Sequence, residues 1–130
     1  GSVYLLVSLA NPATVQGTYI GSTKRLAKRL NEHNTGWGSR QTASACLRPW
    51  AILAYVCGFD SDYTSMRAFE EEWIATRNSL LERQTSSLTA KRTITIVKDL
   101  LRDWQHKHPN LTLCLVECGS IQHMEEMRDR

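Results

Sequence analysis

Two tyrosines, an arginine and a histidine recur at a spacing that suits chemistry at a phosphodiester: Val3-Tyr4-Leu5-Leu6, then Thr18-Tyr19-Ile20-Gly21, then Arg29-Leu30-Asn31-Glu32-His33. A phenol can position or deprotonate a water, a guanidinium can neutralise charge developing on phosphoryl oxygens, and an imidazole can relay a proton. That set lacks a metal ligand. Phosphoryl transfer depends mostly on positioning and on charge neutralisation, and a divalent cation does both, so the missing group should be a carboxylate on another element.

These side chains need elements to hold them. Val3 to Ser8 and Thr18 to Gly21 are β-rich runs separated by the turn signals Asn11-Pro12 and Gln16-Gly17. They predict an antiparallel hairpin with a longish loop that brings Tyr4 beside Tyr19. Thr23 is the expected N-cap of a helix running through His33 and ending at Asn34-Thr35-Gly36. On it Arg25, Arg29 and His33 recur at intervals of four and line one stripe, with Leu26 and Leu30 turned about 100° away toward the core. The plainer alternative for the stripe is a solvated helix face.

Ala51 to Cys57, introduced by Pro49-Trp50, predicts a third strand, and Ser65 to Asn78 a second helix. On that helix Met66, Phe69, Trp73 and Ile74 form the apolar face, and Glu70 falls inside it while Glu71 and Glu72 point outward. A carboxylate on an apolar face is costly unless paired or bound to a cation, which makes Glu70 the candidate metal ligand. The competing arrangement is a salt bridge from Glu70 to Arg77 or Arg29. Ser79 to Arg92 has the character of a polar helix end and loop, and Ile94, Val97, Leu101 and Trp104 then follow helical spacing. Pro109-Asn110 breaks that helix, and Leu111 to Val116 forms a short final strand or an extended tail.

With 130 residues, 42% of them hydrophobic, and four tryptophans, the chain is expected to bury one core as a single domain. The domain should span residues 3–118, followed by an exposed tail over 119–130; Gly1-Ser2 resembles a cloning remnant and is left out of the fold argument. The net charge of +3 is modest, but Lys24, Arg25, Lys28, Arg29, Arg40 and Arg48 all fall in the first half, which makes that half the polyanion surface. The polar loop Gly36 to Arg48 suits DNA, with Lys24, Arg25, Lys28, Arg40 and Arg48 on phosphates and Trp37 stacking on a base, unless Trp37 packs over the domain edge. No run approaches the roughly 20 apolar residues of a membrane span and no signal peptide precedes Val3, so a soluble intracellular protein is expected. Cys46, Cys57, Cys114 and Cys118 make no Cys-x-x-Cys pair; Cys57 and Cys114 sit in strand-like apolar runs and are expected to pack as small hydrophobes, rather than Cys114 and Cys118 joining His106, His108 or His123 at zinc.

Tyr4, Tyr19-Ile20-Gly21, Arg29 and His33 four apart, and Phe69-Glu70 with Trp73 resemble the GIY-YIG nuclease superfamily, from Val3 to about Trp104. Within it Thr18-Tyr19-Ile20-Gly21-Ser22-Thr23, Glu32-His33-Asn34-Thr35-Gly36, Arg48-Pro49-Trp50 and Gly58-Phe59 are most similar to the Slx-type branch, whose members cut four-way junctions and flaps. The resemblance implies an α+β domain with a three-stranded antiparallel sheet flanked by helices. It implies Tyr4 as general base or water-orienting group, Tyr19 on the scissile phosphate, Arg29 on the transition state, His33 as proton acceptor or relay, and Glu70 on a single Mg²⁺ or Mn²⁺. Branched DNA is the implied substrate, with a protein activator or platform subunit as partner, in the nucleus of a eukaryotic cell or at viral replication sites.

The first motif is Val-Tyr rather than Gly-Ile-Tyr, and the zinc-binding RING that follows Slx-type nuclease modules is missing from this sequence, which puts the platform partner in doubt. A free phenol titrates near 10, so Tyr4 as base requires the metal, Arg29, Lys24 or Lys28 to favour its phenolate. The alternative on the same fold is a catalytically silent module that binds DNA or a partner.

Overall fold

The described residues form four strands and three helices: β1 (Ser2–Ser8), β2 (Thr18–Thr23), α1 (Leu26–Thr35), β3 (Trp50–Cys57), α2 (Tyr63–Leu81), α3 (Thr89–Gln105) and β4 (Thr112–Leu115). The computed structural model describes residues 1–10, 17–39, 41–43, 46–81 and 89–116. The strands make one antiparallel sheet in the order β2-β1-β3-β4. It is an α+β arrangement with one strand more than expected: Leu111 to Val116 does not trail away, because Cys57, Val56, Tyr55 and Ala54 of β3 pair with Thr112 to Leu115. Ser2, set aside as a cloning remnant, pairs with both Thr23 and Cys57. The tail over 119–130 lies outside the described residues.

β1 is central and covered on both faces, which is why Val3-Tyr4-Leu5-Leu6-Val7 is an unbroken buried run rather than an alternating one. Val3, Leu5, Ile20, Ala54 and Val56 face α2 and α3, meeting Met66, Phe69, Trp73, Val97 and Leu101 in the main core. The other face carries Tyr4, Leu6, Trp50 and Ile52 under α1, whose Leu26 and Leu30 pack onto them. A bulge between Leu5 and Leu6 in the β1–β3 pairing shifts the alternation of β3, so that Trp50, Ile52 and Tyr55 all remain on the α1 face.

The apolar pattern of α2 holds, with Phe69 and Trp73 fully buried, Met66 nearly so and Ile74 half-buried, although the helix runs from Tyr63 to Leu81, beyond both expected ends. Asp62 is its cap, accepting the Ser65 backbone N–H at 3.0 Å and the Ser65 hydroxyl at 2.7 Å. α3 begins at Thr89, inside the stretch expected to be loop; Trp73 donates its indole N–H to the Thr93 carbonyl at 3.1 Å, tying the two helices together. Among the described residues no helix is long and apolar enough to cross a membrane.

Candidate active site

The site is built on the α1 face of β1 and β2, and its geometry starts with a glycine. Register sets Tyr4 opposite Gly21 and Leu6 opposite Tyr19. A Cβ at Gly21 would lie 2.6 Å from the Tyr4 hydroxyl and 2.8 Å from a Tyr19 ring carbon, so the missing side chain is what allows both phenols to settle over the strand. Their ring centroids are 6.2 Å apart, and the His33 ring stands 5.8 Å from Tyr4 and 4.9 Å from Tyr19. The four expected groups Tyr4, Tyr19, Arg29 and His33 are thus brought together by one hairpin and one helix.

His33 is not on a solvated stripe. It is completely buried, with Nε2 2.8 Å from the Tyr4 hydroxyl and Nδ1 2.6 Å from the Thr42 hydroxyl. The stripe runs from exposed Arg25 through half-buried Arg29 to buried His33. Thr23 does not cap that helix: Arg25 occupies the cap without a side-chain bond, and the Thr23 hydroxyl accepts the Arg25 backbone N–H at 3.1 Å in a turn just ahead of it. Gly36, in the left-handed conformation, ends α1 as expected. The chain then passes so close over His33 that a Cβ on Gly38 would stand 2.9 Å from the His33 Cα.

Burial shapes the protonation states. The imidazole is lowered to about 4, first by desolvation and then by the positive charge of Arg29, so it is neutral at physiological pH. The Tyr4 phenol is pushed up, first by burial and then by Tyr19, with Arg29 acting in the opposite direction without prevailing. Tyr4 as base requires the metal, Arg29, Lys24 or Lys28 to favour its phenolate, and Arg29 does not outweigh burial: the protein's own groups keep Tyr4 as the neutral phenol. Arg29, although burial works against its charge, is held more firmly protonated by the Tyr4 hydroxyl, Tyr19 and Glu32. Its contact with Glu32 is a loose 3.7 Å, and the Arg29 side chain is 27% exposed.

Glu70 approaches from the opposite layer, beside edge strand β2, where its Oε1 accepts the Ser22 hydroxyl at 2.5 Å. Its charge reaches the Tyr4 phenol. The alternative of a salt bridge to Arg77 or Arg29 is not found among the described residues; Arg77 is buried beneath α2, donating to Thr18 Oγ1 at 3.3 Å and to Asn78 Oδ1 at 2.8 Å. A half-buried carboxylate held by one hydroxyl and no cationic side chain is a fitting donor for a hard divalent cation. No three His, Cys, Asp or Glu side chains cluster to form an all-protein cage among the described residues, so a cation there would complete its shell with waters and phosphate oxygens.

Around the site the basic residues divide. Lys24, Arg25 and Lys28 line an open depression of about 330 Å³ with Thr23 and Glu32, and the Lys24 ammonium sits 4.1 Å over the Tyr63 ring. Trp37 is 80% exposed, so it does not pack over the domain edge. Arg48 is half-buried against Gly36, with its Nε lacking a hydrogen-bond partner among the described residues; Arg40 lies outside the described residues. Cys57 and Cys114 sit half-buried beside Tyr55, where desolvation and the Cys114 thiol raise the Cys57 thiol, and Cys118 and His123 lie outside the described residues. Two polar residues of the site were missed in the sequence. Ser22 belongs to a quoted motif and follows the glycine on the opposite strand face; Thr42, from a polar loop, carries no pattern at all.

The GIY-YIG catalytic domain family matches residues 1–84. The chain is 42% identical over 79 residues to the structure-specific endonuclease subunit SLX1 of Ajellomyces capsulatus, a match covering 58% of this chain and 18% of that protein. It is 29% identical over 119 residues to the subunit of the same name from Vanderwaltozyma polyspora, covering 83% and 36%. The Candida glabrata subunit is 27% identical over 121 residues, covering 85% and 38%. The chain thus spans well under half the length of these relatives.

Proposed function

The chain belongs to the GIY-YIG catalytic domain family, and on that premise we propose that it is a metal-dependent, structure-selective endonuclease that hydrolyses phosphodiesters in branched DNA during repair or recombination. The observation that carries the reading is the convergence of the buried Tyr4–His33 pair, Tyr19 and the half-exposed Arg29 at the edge of the sheet where Glu70 also arrives. Relatives named as subunits of structure-specific endonucleases support it and suggest a partner protein for this chain too.

In this reading Arg29, already charged and half-open to solvent, takes the non-bridging oxygens of the scissile phosphate and gains most as charge grows on them in the transition state. Tyr19 orients the same phosphate. Tyr4 holds the attacking water by its hydroxyl, and His33, neutral beside it, takes part in moving the proton away. Glu70 would hold the divalent ion, Mg²⁺ or Mn²⁺, which when bound supplies charge neutralisation at the phosphate. Lys24, Arg25, Lys28, Arg40 and Arg48 contact backbone phosphates, Trp37 stacks on a base exposed at the branch, and specificity comes from DNA shape rather than base edges. The nuclease unit extends through β4.

The test is cleavage of end-labelled four-way junction, 5′ flap and linear duplex DNA with Mg²⁺ or Mn²⁺, comparing the wild type with Glu70→Gln and measuring binding in parallel. Cutting confined to branched substrates, abolished in Glu70→Gln with binding retained, is the expected result. Tight binding without cutting by the wild type would make the chain a binding module instead.

A further inference from the structure

Thr42 is fully buried and has no part in the steps above. We propose that Thr42, anchored by Ser39, fixes His33 in the tautomer protonated at Nδ1 and thereby reserves Nε2 to accept the hydroxyl proton of Tyr4. The use made of that proton transfer rests on the hydrolytic reading of the site; the tautomer itself is a property of the folded protein.

The argument is a count of protons. A neutral imidazole has one N–H and one lone pair, and both of its partners here are hydroxyls, each able to donate or accept. The groups beyond them decide the direction. Thr42 Oγ1 accepts the Ser39 backbone N–H at 3.1 Å and lies 3.3 Å from the Ser39 carbonyl, which can only accept. The Ser39 hydroxyl, 3.2 Å away, accepts the Thr42 backbone N–H. Thr42 has a single proton to give. Sent to the Ser39 carbonyl, it leaves the two lone pairs of Thr42 for the Ser39 N–H and for Nδ1–H, while the Ser39 hydroxyl accepts the Thr42 N–H and directs its own proton away from Thr42.

The other end of the chain agrees. The Tyr4 oxygen is already acted on by Arg29, a group that can only donate. Were His33 protonated at Nε2, this oxygen would meet two donors, and the buried Tyr4 proton would need another acceptor. With Nε2 unprotonated, the bonds run in one sense: Tyr4 O–H to Nε2, Nδ1–H to Thr42, Thr42 O–H to the Ser39 carbonyl. Such a chain polarises each member in the same direction. Gly38, pressed against the ring, prevents the imidazole from escaping by rotation.

Tyr4 then need never become a free phenolate. As the attacking water gives a proton to the Tyr4 oxygen, Tyr4 passes its own to Nε2. The water oxygen forms its bond to phosphorus, the bond from phosphorus to the leaving oxygen breaks, and that oxygen takes a proton from solvent. The imidazolium returns its proton to solvent afterwards. Thr42 touches neither DNA nor water in this scheme and is a positioning residue.

The experiment combines ¹⁵N NMR of the labelled histidine side chains, on the protein alone, with single-turnover cleavage of the 5′ flap by wild type, Thr42→Val and Thr42→Ser. The wild type should show Nδ1–H at His33. Thr42→Val should lose that signature and cleave roughly 10- to 100-fold more slowly at unchanged DNA affinity, less than the roughly 10²- to 10⁴-fold contributed by a proton-transfer group itself, because the variant misplaces that group without removing it. Thr42→Ser should restore both. An Nε2–H signature in the wild type overturns the proposal, as does a Thr42→Val variant that keeps Nδ1–H or cleaves at the wild-type rate. Should Thr42→Val fail to fold, the wild-type spectrum decides. Failure of the wild type to cut any DNA would remove the hydrolytic reading and leave the tautomer still decided by NMR.

Discussion

Acidification should loosen this protein through one buried side chain. The unfolded chain takes up a proton at His33 near pH 6.5, whereas the folded chain resists until about 4 because burial and Arg29 disfavour the imidazolium. The folded value being the lower one, the stability held by the neutral ring is complete above about pH 6.5 and drains away as pH falls toward 4. At about 1.36 kcal/mol per pH unit, that gap sets a ceiling of about 3 kcal/mol; integrating the proton uptake to pH 5 gives about 2 kcal/mol. Urea unfolding followed by tryptophan fluorescence at pH 7 and pH 5, for wild type and His33→Gln, isolates the effect, since the other histidines titrate in both proteins. The wild type should lose about 2 kcal/mol more than the variant over that interval. An equal loss in the two would refute the reasoning, because His33 would then titrate alike in the folded and unfolded chain.

Arg29→Ala should lower the single-turnover cleavage rate roughly 10²- to 10³-fold, as for loss of one transition-state charge donor; a change confined to DNA affinity would remove Arg29 from the reacting phosphate. Trp37→Ala should weaken binding to a four-way junction by about 1–3 kcal/mol, the usual range for one stacked base, with unfolding unaffected because the indole is 80% exposed. Unchanged affinity would show that no base stacks there. Gly21→Ala should destabilise by about 1–3 kcal/mol as an overpacked site, since its Cβ would fall 2.6 Å from the Tyr4 hydroxyl. Urea unfolding at wild-type stability would mean that the phenol moves aside at little expense.

Much of this was legible in the sequence, and the reasons are local. β1, β2 and β3 are short β-branched and apolar runs bounded by turn residues, and α2 and α3 carry their buried faces in plain period. The fourth strand was ambiguous because a four-residue edge strand has too little pattern to separate it from an extended tail. Tyr4, Tyr19, Arg29 and His33 were found because their spacing follows strand register and helix turns, which place them before any contact is known. The burial of His33 was not legible: helical spacing shows which residues share a stripe, not that the chain at Gly38 passes close over one end of it. The same limit hid Ser22 and Thr42, whose roles come from hydrogen bonds between segments far apart in sequence or from an irregular loop. The upward shift of the Tyr4 phenol was not legible, because charges can be counted in a sequence while desolvation cannot.

The two faces of the sheet are unequally furnished, and the inequality sets a hierarchy of motions. The α2–α3 side holds the broad apolar core, whereas α1 is a ten-residue helix fastened by half-buried Leu26 and Leu30 and, at its C-terminal end, by buried His33 and the hydrogen bonds of Asn34 with the Trp50 backbone. So short a helix has little intrinsic persistence once lifted from its support. It should behave as a foldon of its own, with amide protons exchanging through a sub-global opening that leaves the sheet and the two long helices intact. Arg29 and His33 ride on that foldon. On the proposed function, a DNA phosphate seated on Arg29 would bind the closed form and so deepen its well by mass action, and the substrate would then be a part of what holds its own catalyst together.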